Sequence, residues 1–533
     1  MGGLDAGPRG VWRGLRVAVL AWVAGLAMVL AAGSASAVSP EQRDADEALN
    51  AWDIVTARAM VERLNAADPN DATNLYLMGH LLLLEGKYAE AADYLAQSAT
   101  KKPEPLVVHL KQIALNTAEA TKGYVKHKTA DGAFEISYAA GLDQVLVPYA
   151  EEALGRAWKE LTRIFDYVPE MPIRIEFYPT VDVLGQVSPL TVAEIRTSGT
   201  IALCKYNRLM VTSPRDLVYG YDWVDTIAHE FIHLLITKKS RNQVPIWLHE
   251  GLAKYYEVKW KAEAKPGLDR HSEAFLAKAL AADKLITFEA MSPSMAKLPS
   301  QEATATAFAE VWTVIAFLNE RRGKDVAAEL VAAMASGKSD RDAVAQVSQI
   351  PWDRFEKTWK AFLKTQSFRP MDADFQTRLL FKGKDTEADE LAGIKIDRAR
   401  EYVWLGDRMR LRERWVAAVK EYRKATAHVG DRSPLVQGKL GHALLKANRY
   451  DEAAVELEKP LADNPGHVVL HVYLGEALMK LGKPAEARVH LENALTINPF
   501  DPDVHETLAS VYEALGEREK AAEERRFHKL IHN

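Results

Sequence analysis

The sequence predicts an α+β domain in the middle of the chain with all-α helical repeats on both sides of it. Three observations say so. A period of 34 residues recurs toward the C-terminus, a weaker copy of the pattern lies near the N-terminus, and short alternating strands mixed with amphipathic helices fill the space between. At 533 residues the chain exceeds one compact core, so several domains are expected: 1–37 as a leader, 38–104 and 399–533 as repeats, and 130–370 as the central domain. The composition, 48% apolar and 26% charged, is that of folded globular protein and argues against disorder and membrane embedding. The 68 basic and 73 acidic residues are spread along the chain and leave no electrostatic footprint for nucleic acid.

The leader reads as a secretory signal. Arg9, Arg13 and Arg16 precede an apolar run from Val17 to Ala32, and Ala35-Ser36-Ala37 supplies the small residues a signal peptidase reads, so the mature chain is expected to begin at Val38. The run is about 16 residues, short of the ~20 a bilayer core demands, which makes an uncleaved anchor the weaker reading and leaves no span in the mature chain. Cys204 is the only cysteine, so no intramolecular disulfide forms. A bacterial periplasmic or secreted location is expected.

Two helical units follow, over 38–104. Met78-Gly79, Gly86, Ala91 and Pro103 mark one, and Ala57 and Pro69 the one before it. Beyond them the pattern changes. Phe134 to Tyr138 and Ile173 to Tyr178 alternate apolar and polar residues as half-buried strands do, the stretch Val147 to Phe165 is an amphipathic helix, and a third strand is expected over Ala202 to Val211. Pro179 and Pro214 punctuate the strand ends.

The chemistry sits in Asp222-Trp223-Val224-Asp225-Thr226-Ile227-Ala228-His229-Glu230-Phe231-Ile232-His233. Residues four apart share a helix face, so His229 and His233 can offer two imidazole nitrogens to one ion. Glu230 lies ~100° around the helix and can reach water beside the ion without being a ligand. Asp222 reads as the N-cap and Asp225 as an acid of the first turn, with an orienting contact to His229 as the alternative for Asp225. A second helix, Ile246-Trp247-Leu248-His249-Glu250-Gly251-Leu252-Ala253-Lys254-Tyr255-Tyr256, carries two candidates for a third ligand, His249 and Glu250. Successive residues point ~100° apart, so one of them faces the ion, and periodicity does not choose which.

These two helices resemble those of the gluzincin metallopeptidases, whose Trp-Leu-x-Glu-Gly-x-Ala helix carries a glutamate ligand. The resemblance covers about 130–370 and implies a two-lobed zincin-like fold. It implies Zn²⁺ held by His229, His233 and Glu250, Glu230 as general base, and hydrolysis of peptide bonds, with His249 a flanking residue. The chain departs from the pattern in two places. Lys254 stands where thermolysin-like relatives carry an acid that orients a zinc histidine, so that role falls elsewhere or is absent. Phe308 stands where a tyrosine would stabilise the oxyanion, and Tyr255, Tyr256 and His271 are the nearby substitutes by name alone.

From about Ser272 to Lys364 the reading returns to helices, including Glu310 to Arg321 and Trp352 to Leu363. The last segment carries the period. Leu440-Gly441, Leu474-Gly475 and Leu508-Ala509 recur every 34 residues, as do Ala453, Ala487 and Ala521, with Pro465 and Pro499 closing two units and a degenerate unit around Leu405-Gly406, Ala418 and Tyr422. Small residues let paired helices approach, and prolines stop the second helix. Both arrays resemble tetratricopeptide repeats. For the C-terminal array this implies a groove for a protein partner, and for the N-terminal pair either a partner or bracing of a neighbour. The charged face from Glu517 to Arg526 reads as a solvated cap, and His528 with His532, lacking a third ligand, as solvent-facing. Three function classes follow: a zinc peptidase acting on secreted or envelope proteins, a catalytically inactive zinc-binding scaffold, and a repeat-mediated envelope assembly factor. Glu230 favours the first, because a scaffold has no use for a base.

Overall fold

The computed structural model describes residues 38–261, 266–292, 294–295, 298–370, 382, 391 and 394–532. The leader expected over 1–37 lies outside them. The chain is mostly helical with a small mixed sheet. Among the described residues no helix is long and apolar enough to cross a membrane.

Helices α1 (Pro40–Asn50), α2 (Ile54–Ala67), α3 (Ala72–Leu84), α4 (Tyr88–Lys101) and α5 (Pro105–Ala120) open the described chain. Ser39, Asp53 and Asp71 cap the first three by accepting backbone N–H groups of the opening turn. Gly79 lets α3 and α4 touch, since a Cβ there would lie 2.6 Å from Leu95 Cγ. The helix α5, which the repeat pattern does not announce, extends this layer.

Strands β1 (Val125–Lys128), β2 (Phe134–Tyr138), β3 (Ile173–Tyr178), β4 (Ala202–Lys205) and β5 (Arg208–Thr212) form a five-stranded sheet of order β1-β2-β3-β5-β4 among the described residues. Its centre, β2-β3-β5, is parallel and its two edges are antiparallel. The expected third strand is thus a hairpin. Tyr206 and Asn207 both take positive φ at its turn, a conformation usually left to glycine, so the sequence offered no glycine to mark the break.

The two faces of the sheet have different partners. Ile173, Ile175 and Phe177 are buried toward α6 (Leu146–Phe165) and α9 (Trp223–Ser240), where the Phe177 ring meets Trp223 edge-on at 5.9 Å. On the other face Arg208, fully buried, pairs with Glu176 at 3.4 Å and donates to Thr117 of α5 at 3.3 Å, while Tyr88 of α4 donates to Glu176. Burying two charges is costly unless they are paired, and here Glu176 takes the pairing and the Tyr88 and Tyr178 hydroxyls while Arg208 donates through one nitrogen of its fork. The N-terminal helices therefore brace the sheet, the second of the two roles open to them. The short helices α7 (Val181–Val187) and α8 (Val192–Ser198) cross between β3 and β4.

Beyond α9 come α10 (Ile246–Tyr256), α11 (Arg270–Ala281), α12 (Gln301–Arg322), α13 (Ala327–Ala335), α14 (Asp340–Ser348) and α15 (Trp352–Thr365). Gly251 is what lets α10 lie against α12: a Cβ there would sit 2.9 Å from the Val311 carbonyl oxygen. The C-terminal array is four helix pairs, α16 (Asp397–Arg410) with α17 (Trp415–Val429), α18 (Pro434–Lys446) with α19 (Tyr450–Leu461), α20 (Val468–Lys480) with α21 (Pro484–Ile497), and α22 (Pro502–Ala514) with α23 (Arg518–His532). Added Cβ atoms at Gly406, Gly441 and Gly475 would come 2.4–2.6 Å from Tyr422, Leu457 and Leu491 respectively. The degenerate unit is closed by the same contact as the regular ones.

The array docks on the loop that leads into α9. Trp223, fully buried, donates its indole N–H to the Leu495 carbonyl at 3.1 Å, and the Tyr221 N–H reaches the Ile497 carbonyl at 3.0 Å. Gly220, with φ +71°, makes room, since a Cβ would fall 2.2 Å from that Ile497 oxygen. Glu524 is the exception on the charged face: it is buried, and accepts from Tyr149 of α6 at 3.2 Å while lying 2.6 Å from His505 Nδ1. His528 lies 2.9 Å from the Pro502 carbonyl through its Nδ1, so it too is engaged rather than solvent-facing.

Candidate metal centre

Helix α9 is set by its ends. Asp222 caps it by accepting the Asp225 N–H, Lys238 and Lys239 sit in its last turn, and Arg241 ends it with φ +54°. Asp225 does not orient His229. Its carboxylate takes the Trp260 indole N–H at 2.9 Å and the Lys261 ammonium at 2.6 Å, which ties the start of α9 to the chain beyond α10.

His229, His233 and Glu250 converge. The two Nε2 atoms are 3.0 Å apart, and Glu250 Oε2 is 3.3 Å from each. Among the described residues this is the one group of three or more His, Cys, Asp or Glu that could hold an ion. Metal–ligand bonds of about 2.0–2.1 Å at tetrahedral angles put ligand atoms about 3.3–3.4 Å apart, close to what the three atoms show. Three lone pairs aimed at one point repel unless a cation or shared protons lie between them. Without an ion, protons do this work: burial alone would lower the His229 pKa, but Glu250 and Glu257 outweigh it and push it up to about 10. Burial favours a protonated Glu250, yet His233 and His229 hold its carboxyl far below the usual range. The donor set and spacing fit zinc.

Behind the three, both histidines are held through Nδ1. His229 Nδ1 lies 2.8 Å from Glu257 Oε2, and the other Glu257 oxygen takes the Lys254 ammonium at 2.6 Å. The acid missing at position 254 is thus supplied three residues later, where the helix returns to the face of Glu250: seven residues advance it ~700°, about 20° short of two full turns. That offset is the signal sequence reading could have used. His249 does not join the three; its Nδ1 lies 2.6 Å from His233 Nδ1.

Glu230 follows His229 on α9 and feels the charges of His233, His229 and Glu250. It is 5% exposed, and its Oε2 has no hydrogen-bond partner among the described residues. Burial raises its pKa, against the pull of His233 and His229. The tyrosines considered for the oxyanion are engaged elsewhere: Tyr256 is fully buried with its hydroxyl donating to Asn319 at 3.0 Å, and Tyr255 packs on Trp312 at 5.4 Å. His271 sits in the first turn of α11, its backbone N–H capped by Asp269.

Residues 156–365 match the family model described as Peptidase MA superfamily, and 444–511 match one described as tetratricopeptide repeat. The first indicates a peptidase and the second protein–protein interaction. No curated protein matches the chain. Similar solved structures include that of MamA protein, at 22% identity over 25% of this chain and 73% of that one, TM-score 0.24. A MamA fragment from Desulfovibrio magneticus shows 18% identity over 25% of this chain and 75% of its own, TM-score 0.24. A thermophilic TPR protein of Thermus thermophilus shows 23% identity over 24% of this chain and 72% of its own, TM-score 0.23.

Proposed function

We propose that this chain is a zinc-dependent peptidase of the gluzincin type, with a two-lobed zincin-like central domain, acting on secreted or envelope proteins. The observation that carries the reading is the convergence of His229, His233 and Glu250 within 3.0–3.3 Å beside a glutamate with a free, buried oxygen. A zinc ion held by His229, His233 and Glu250 would supply Lewis acidity toward a scissile carbonyl and would lower the pKa of water from ~15.7 toward ~7. Glu230 would take the proton on its carboxylate and return it to the leaving amine. Among the described residues β4 has β5 as its one strand neighbour and stands at the edge of the sheet. An extended peptide laid along that edge would pass the site, as edge strands accept added strands.

The C-terminal array recruits a protein partner or substrate in this reading. Trp415, His442 and Tyr473 stand in a row across three repeats, with centroids 5.5 and 4.9 Å apart and all three half-buried, which offers stacking surface to a chain lying across them. Metal analysis followed by digestion of a peptide library tests the whole. Wild type should hold one zinc per chain and cleave; Glu250→Ala should lose both; Glu230→Gln should keep zinc and lose about 10²–10⁴ in turnover. Zinc-loaded wild type that cleaves nothing, or Glu230→Gln with full turnover, removes the peptidase assignment.

A further inference from the structure

Helix α10 and its C-cap residue Glu257 bring three side chains to the pair of histidines on α9, and only two have a use so far. Glu250 faces the point between the histidines and Glu257 holds His229 from behind. The third is His249, whose Nδ1 lies 2.6 Å from His233 Nδ1, with the rings 4.8 Å apart and inclined by 36°. Its far nitrogen, Nε2, lies 3.4 Å from Thr237 Oγ1, one turn beyond His233 on α9. We propose that His249 is a positioning residue that fixes the tautomer and ring orientation of His233, so that α10 grips both zinc histidines from behind while lending the third ligand. The inference rests on the zinc reading above.

Proton counting sets the direction of each bond. Two ring nitrogens 2.6 Å apart must have one proton between them. If it belonged to His249, a neutral His233 would carry its own proton on Nε2, the atom that faces His229 and Glu250 and must present a lone pair to the ion. The proton therefore belongs to His233 Nδ1, and His249 Nδ1 accepts it. A neutral His249 then carries its proton on Nε2 and points it at Thr237 Oγ1. Each ring in the chain Thr237, His249, His233 is left with a single tautomer, and the hydroxyl that ends the chain comes from the same helix as the ligand. A buried core histidine would need partners but no particular order of donors. Here the order is dictated from the ion's position outward.

The two histidines are consequently held by different chemistry, His229 by a carboxylate and His233 by a neutral imidazole. Metal-orienting partners of this kind change affinity by roughly 10–100-fold when removed. The test uses the full-length protein with zinc affinity from chelator competition, and Co²⁺ visible absorption as a report on coordination geometry. His249→Phe keeps the ring and removes the acceptor; His249→Asn places an amide oxygen near the lost Nδ1. The expected result is roughly 10–100-fold weaker zinc for His249→Phe, with a weakened tetrahedral Co²⁺ band, and recovery to within about threefold for His249→Asn. Thr237→Val, distant from the ion, should cost about threefold, the loss of one weak neutral hydrogen bond. Wild-type affinity and spectrum in His249→Phe overturn the proposal, and so does an equal loss in His249→Asn, which would make packing rather than the acceptor the cause. Should His249→Phe fail to fold, a Thr237→Val affinity equal to wild type overturns it instead. Failure of the wild type itself to bind zinc sinks the underlying metal reading, a result distinct from any ranking among the variants.

Discussion

Glu257→Gln should weaken zinc binding by one to two orders of magnitude while leaving the fold in place. Glu257 lies 2.8 Å from His229 Nδ1 and 2.6 Å from the Lys254 ammonium, and its side chain and that of His229 are each only 13% exposed, so water screens the interaction poorly. A hydrogen bond to a charged group contributes about 1.5–3 kcal/mol and a neutral one about 0.5–1.5, so removing the charge costs about 1–1.5 kcal/mol, or roughly tenfold in affinity. A second factor comes from Lys254. An amide cannot offer oxygen to both neighbours: if its oxygen serves His229, its NH₂ confronts the ammonium, and if it turns, His229 loses its acceptor. Lys254→Met removes that conflict, so the double variant should bind zinc more tightly than Glu257→Gln alone, and Lys254→Met by itself should bind at least as tightly as wild type. Chelator competition on the four proteins gives the cycle, with thermal melts of each to separate metal affinity from folding. An affinity for Glu257→Gln within twofold of wild type would refute the assignment of Glu257 as the orienting acid. A double variant weaker than both singles would refute the account of Lys254.

Buried groups away from the ion are open to test as well. Glu310 is fully buried on α12, its carboxyl oxygens 2.9 and 3.2 Å from the Ile286 nitrogen, and burial pushes its pKa up to about 8 from 4.5. Between those values the folded state keeps a proton that the unfolded chain has released, so stability falls as pH rises, by at most ~1.4 kcal/mol per unit. Glu310→Gln keeps the acceptor and should flatten that slope, becoming the more stable protein at pH 8; urea unfolding of both proteins at pH 5 and pH 8 checks this, and an unchanged difference between them refutes it. Trp223→Phe loses the bond to the Leu495 carbonyl and part of a fully buried ring, at a cost of roughly 1–3 kcal/mol. Amide exchange should then accelerate together in the first turn of α9 and in α21, and faster exchange confined to α9 would show that the array does not brace that helix.

Much of the site was legible because its chemistry is local. His229 and His233 share a face by helical arithmetic, and the Trp247 helix stood out by its resemblance to the Trp-Leu-x-Glu-Gly pattern, while β2 and β3 fall where period-two alternation placed them. What escaped was set by relations the chain does not write in adjacent letters. The β4–β5 turn uses Tyr206 and Asn207 in a left-handed conformation, so no glycine marked it. Glu524 lies in a run of charges and looks solvated. The repeat itself held the correction: positions 456, 490 and 524 are one period apart, and each faces a partner one helix back. Gln437 donates to Glu456 at 2.9 Å, His471 lies 3.1 Å from His490, and His505 lies 2.6 Å from Glu524. A charged residue at a repeat position whose equivalents are engaged between helices is engaged too.

The docking of the C-terminal array on α9 was invisible for a different reason. Its acceptors are the backbone carbonyls of Leu495 and Ile497, which any residue at those positions would provide, and only Gly220 hints at a close approach. That contact changes what the array is for. An array that contributes no ligand need not be separable from the site, because it packs on Gly220 and Tyr221 in the loop that leads into α9. Asp222 caps α9 from this loop, and Trp223, the first helical residue, is pinned between Phe177 of the sheet and Leu495 of the array. The imidazoles lie about two and three turns further along the same rigid rod. Trp223 is thus where the sheet, the array and the first turn of α9 meet.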